Sequence, residues 1–128
     1  MIKKYLILFV LVVFTYACKK EGPGGKNTLV VFPKHHSKSI PNTTVYIKYG
    51  TNQFPGEDVA VYDDKLIAKP MAGEPDAHVH FENLRKGKYY LYGIGYDSAI
   101  AKTVKGGIPV EIKTKVGETE VTLPITED

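Results

Sequence analysis

The chain has 128 residues, 43% of them apolar and 24% charged, with a formal charge of +3, one Cys, no Trp and nine Tyr. That length holds one domain. The composition is too apolar and aromatic for a disordered chain and its Gly follow no collagen period. A lone Cys excludes a disulfide framework and a thiolate zinc site.

The chain opens on Lys3 and Lys4, then runs from Tyr5 to Ala17 with Thr15 as the one residue outside the apolar set. Such a run is shorter than the roughly 20 residues a membrane-spanning helix needs. A basic start, a short apolar stretch and a small residue before a break read as a secretory leader covering residues 1–17. The break is Cys18, followed by the polar, Gly-rich stretch up to residue 27. Residues 18–27 therefore read as a flexible tether and 28–128 as the folded domain. Without Lys3 and Lys4 the remaining chain is close to neutral, so nothing in it points to nucleic acid.

Thr15-Tyr16-Ala17-Cys18 is similar to the lipobox of bacterial lipoprotein precursors, a small residue directly before a cysteine. The resemblance implies that the Cys18 thiol takes a diacylglyceryl group, that the leader is cut before it, and that the new amino group is acylated. Several acyl chains (palmitate-like) make a stable anchor where one is marginal. An unpaired Cys in an oxidising compartment agrees with this, because it is otherwise a liability. The expected location is the cell envelope, on a membrane, facing the periplasm or the cell surface.

From Thr28 onward the apolar period is two, and no stretch carries a helical stripe. The predicted strands begin with Leu29 to Phe32. The turn Ser39-Ile40-Pro41-Asn42 leads into Thr43 to Tyr49, whose Val45, Ile47 and Tyr49 share one face. Gly50 to Glu57 reads as a loop, Val59 to Tyr62 as a short strand, and 63–76 as a long loop with a small strand at Leu66 to Ala68. Ala77 to Glu82 and Lys88 to Tyr96 then read as a hairpin. Pairing Glu82 with Lys88 sets opposite charges across the strands and puts Phe81/Tyr89 and Val79/Leu91 on one face. Ile100 to Val104, Ile108 to Thr114 and the segment through Val121, Leu123 and Ile125 complete the pattern. Seven or eight short strands with regular turn signals predict an all-β, antiparallel Greek-key sandwich.

The stretch Phe81-Glu82-Asn83-Leu84-Arg85-Lys86-Gly87-Lys88-Tyr89-Tyr90-Leu91 resembles a motif of transthyretin-like domains, which include carboxypeptidase regulatory-like modules. Ile40-Pro41-Asn42-Thr43-Thr44-Val45-Tyr46 is similar to their opening turn and second strand. The resemblance implies a transthyretin-like, immunoglobulin-like sandwich in which Leu84 plugs the core end, Gly87 turns the chain, and Tyr89 and Leu91 face inward. Such modules serve as adhesion, spacer, carrier and binding units.

Two constellations carry possible chemistry. His35-His36 and His78-x-His80 together offer four imidazoles; residues two apart on a strand share a face, within reach of one zinc or copper ion. The alternative is that these are solvated polar residues. Tyr90, Tyr92 and Tyr96 lie opposite the Tyr89/Leu91 face and form either a stacking platform for a glycan or protein partner or a covered second face. No Ser lies in a nucleophile elbow, and Asp63-Asp64 and Glu57-Asp58 read as turn formers. The expected class is a non-enzymatic, lipid-anchored binding or structural module with no cofactor beyond its lipid. Its partners are the membrane and an envelope protein or glycan; metal binding and carbohydrate binding are the alternatives.

Overall fold

The computed structural model describes residues 21–127, so the leader and Cys18 lie outside the described residues. Nine strands run through them: β1 Pro23–His35, β2 Lys38–Ser39, β3 Thr44–Tyr49, β4 Asp64–Ile67, β5 Lys69–Met71, β6 Glu74–Leu84, β7 Gly87–Asp97, β8 Lys102–Ile112 and β9 Val116–Pro124. A single 3₁₀ turn, Val59–Val61, stands where a strand was expected. Asp58 caps it by accepting from the Ala60 N–H at 3.0 Å, and Val59 and Val61 stay exposed. Among the described residues no helix is long and apolar enough to cross a membrane.

The architecture is the expected all-β sandwich. One sheet holds β2, β1, β6 and β5, with β9 on the other side of β1; the second has the order β4-β3-β7-β8. All pairings are antiparallel except β1 with β9, which run parallel from Lys26/Val116 to Lys34/Pro124. Alternation decides the faces. Leu29 and Val31 of β1, Val79 and Phe81 of β6, Val45 and Ile47 of β3, and Tyr89 and Leu91 of β7 all enter one core with Leu123 and Ile125. Each fully buried aliphatic chain here is worth about 2 kcal/mol relative to an exposed one.

The expected hairpin does not form. β6 pairs with β1 and β5, whereas β7 pairs with β3 and β8, so the chain crosses from one sheet to the other between Leu84 and Gly87. Val79 and Leu91 face the same core from opposite sheets rather than standing side by side. Asn83 at φ 59° and Gly87 at φ 141° supply the left-handed backbone that swings the chain across. Leu84 is buried at the bend and plugs the core end. The Tyr89 hydroxyl donates to the Arg85 carbonyl at 2.5 Å, the geometry of a tyrosine corner.

The expected tether is also shorter than residues 18–27. Gly22 to Asn27 belong to the folded body: the Arg85 N–H donates to the Gly22 carbonyl at 2.8 Å, and the Gly22 N–H donates to the Tyr89 hydroxyl at 2.9 Å. Buried Asn27 donates through Nδ2 to the carbonyls of Thr114 and Lys115, tying down the β8–β9 turn. The glycines here serve close approach rather than flexibility. A Cβ on Gly25 would land on the Leu84 carbonyl, and one on Gly22 would sit 2.8 Å from the Tyr49 ring.

Candidate functional site

The inner face of β1 continues past the core to His35, and the inner face of β7 continues past Tyr89 and Leu91 to Asp97. Opposite sheets thus deliver a buried imidazole and a buried carboxylate to the same end of the sandwich. His35 Nδ1 lies 2.9 Å from Asp97 Oδ2, with both side chains 5% exposed. Asp97 Oδ1 accepts from Lys38 Nζ at 3.1 Å and from the Ala99 N–H at 3.0 Å. The His35 bond foremost, helped by Lys38 and the Ala99 N–H and opposed by burial, holds the Asp97 carboxyl down to about 2. An ionised carboxylate only accepts, so Nδ1 carries a proton.

The other ring nitrogen looks toward the chain's end. β9 runs parallel to β1, and the Ile125 N–H donates to the Lys34 carbonyl at 2.9 Å. With Ile125 fully buried, Glu127 is carried against His35, its Oε2 beside Nε2. That contact is an ion pair, and Nε2 is buried with no hydrogen-bond partner besides it. The Asp97 bond, against the cost of burial and with help from Glu127, raises the His35 imidazole above its usual value. The Glu127 carboxyl is lowered, first by its own backbone N–H, then by His35 and His36.

His36 and Ser37 form the tip of the β1–β2 turn at φ 48° and 67°. Two successive left-handed residues make a type I′ geometry, which Asn-Gly usually fills. His36 is held with its ring 4.2 Å from that of His35. His35, His36 and Glu127 each offer a ligand atom, all within 4.8 Å of one another. Among the described residues this is the one such trio.

His78 and His80 do not join it. They point to the outer face of the first sheet, where His80 pairs across from Val30 and the His78 ring lies 5.0 Å from Phe32. The two rings are 4.9 Å apart, and His78 Nδ1 donates to the Asp76 carbonyl at 2.8 Å. The sheet separates this pair from His35, so the expected four-histidine cluster is two pairs on opposite faces. Inner and outer positions alternate along β1 and β6, and the loop-borne pair was assigned no face.

Tyr90 and Tyr92 are covered. The loop between β3 and β4 folds over the outer face of the second sheet. It brings Phe54 to 5.7 Å from both rings and stacks Tyr62 on Tyr92 at 5.8 Å. Tyr62 donates to the Gly56 carbonyl, and burial pushes its hydroxyl up to about 12. Tyr92 is 3% exposed whereas Tyr96 is 57% exposed. The three do not form an open stacking platform.

Asp97 and Glu127 were not among the expected site residues. Asp97 had a signal, since it keeps the odd-numbered inward parity of Tyr89 and Leu91. Glu127 had none, because its placement follows from a parallel pairing of the first and last strands. No family model matches the chain, and neither a curated protein nor a solved structure matches it at a significant level.

Proposed function

We propose that the chain is a non-enzymatic, lipid-anchored module of the bacterial cell envelope, fixed through Cys18. The observation that carries this reading is the join between leader and fold. The basic-apolar leader ends just before Cys18, and among the described residues the first backbone group bonded into the sandwich is Gly22. Four peptide steps reach at most about 14 Å, so an anchored domain sits directly on the membrane with its Gly22 end down. That close seating suits a structural or carrier unit more than a long-reach adhesin. Covered Tyr90 and Tyr92 count against glycan stacking on that face, which leaves an envelope protein as the favoured partner class.

Metabolic labelling with a palmitate analogue, followed by membrane fractionation, tests the reading. The wild-type chain should carry label and sediment with membranes, and Cys18→Ala should carry none and leave the membrane fraction or remain unprocessed. Label retained on Cys18→Ala would overturn the anchor.

A further inference from the structure

We propose that His35 Nε2, His36 and Glu127 bind a divalent transition ion of the zinc and copper class, with Asp97 as the positioning residue behind His35. The site stands independently of the lipid anchor.

The reasoning begins with lone pairs. Asp97 is an acceptor, so His35 presents its proton on Nδ1 and its other nitrogen toward Glu127. Nε2 and a carboxylate oxygen are both electron-rich, and they face each other where Nε2 is almost fully enclosed. Two such atoms are held together by a cation between them. A proton on Nε2 is one such cation, shared with Glu127 when no metal is bound. A metal ion is another, and His36 stands at hand as a third ligand.

The chemistry of the set fits the class. Two imidazoles and one carboxylate suit zinc or copper better than calcium or magnesium, which prefer all-oxygen shells. A carboxylate behind a ligating imidazole fixes its tautomer and raises its basicity, and Asp97 has that place. Lys38 and the Ala99 N–H occupy the other Asp97 oxygen, which keeps the carboxylate turned toward His35. Ligand atoms around tetrahedral zinc lie roughly 3.5 Å apart, so Glu127 must draw back from His35 Nε2 to admit the ion, while the widest pair of the trio, now within 4.8 Å, closes. His36 and Glu127 are both exposed, which leaves them room to rotate. A fourth position stays open to water or to a ligand atom from a partner.

The test is titration calorimetry on the full-length protein in detergent, stripped with a chelator and titrated separately with Zn²⁺ and Cu²⁺. The wild type should take up a single equivalent of at least one ion. Glu127→Gln should weaken that uptake about tenfold or more. So should His36→Asn, chosen because Asn tolerates the left-handed backbone at that position. The double variant His78→Ala/His80→Ala should bind as the wild type does. Matching circular dichroism spectra would show that the variants are folded. No uptake of either ion by the wild type, uptake that survives both Glu127→Gln and His36→Asn, or uptake lost in the His78/His80 variant would each overturn the site.

Discussion

The two ends of β1 close the same core by opposite means. The strand is 13 residues long, roughly 40 Å at about 3.3 Å per residue. At its start, Gly22, Gly25, Leu84 and the Tyr89 hydroxyl seal the sandwich with neutral groups and backbone hydrogen bonds. At its finish, His35, Asp97, Lys38 and Glu127 seal it with charges. A neutral seal keeps its strength until the Tyr89 hydroxyl itself ionises, above its ordinary value, and its tolerance for substitution is set by space. A charged seal varies with protons and offers donor atoms to a ligand. The first kind suits the end nearest the proposed anchor; the second suits the end that carries the proposed metal site.

The largest effect expected from this contrast is steric. Gly25→Ala drives a methyl group into the Leu84 carbonyl and forces β1 away from β6. Overpacking of that kind should cost about 3 kcal/mol, read from the urea midpoint at constant slope. A midpoint unchanged within error would mean that residues 22–27 are a tether after all. Next in size is Tyr89→Phe, which leaves the Arg85 carbonyl and the Gly22 N–H without their shared partner. Stranding such groups should cost about 2 kcal/mol. Amide exchange should place the loss at Gly22, Arg85 and their neighbours, with the His35 end unaffected; uniform loss would mean that the corner is not a local seal.

Much of this fold was legible because a period of two is a statement about faces. Val45, Ile47, Val79, Phe81, Tyr89 and Leu91 all sit on the inner faces that their parity requires. Parity says nothing about which sheet a strand joins. Inward residues of β6 and β7 meet equally well as neighbours or across the core, so the register that paired Glu82 with Lys88 was self-consistent and wrong. The decisive information lay in the crossing, where Asn83 and Gly87 adopt left-handed backbone and Tyr89 bonds back to Arg85. The glycines near Gly22 were misread for a related reason. Composition does not distinguish a glycine that keeps a chain loose from one that lets two backbones touch. At the site, His35 and His36 were found from residue type alone, whereas Asp97 and Glu127 required knowing that β7 lies across from β1 and that β9 runs beside it.

The smallest effect, and the one that separates the two ends most cleanly, is the dependence of stability on pH in metal-free protein. The His35 imidazole is raised, first by Asp97 and then by Glu127, against the cost of burial, with Lys38 as the cation on the far side of Asp97. A base whose folded value exceeds its unfolded one adds stability that is complete below about 6.5 and disappears as pH rises through the folded value. Asp97 and Glu127 are lowered, so their contribution is complete above their unfolded values and disappears as pH falls, for Asp97 through about 2. With a chelator present, the urea midpoint should therefore be level between about pH 5 and 6.5 and decline above that. Glu127→Gln removes one of the two carboxylates that hold the proton on His35, and should make the alkaline decline shallower. Tyr89→Phe should shift the whole curve down and leave its shape alone, because the seal it breaks carries no charge. A Glu127→Gln profile parallel to the wild type would place the proton-sensitive group elsewhere and remove the electrostatic difference between the ends.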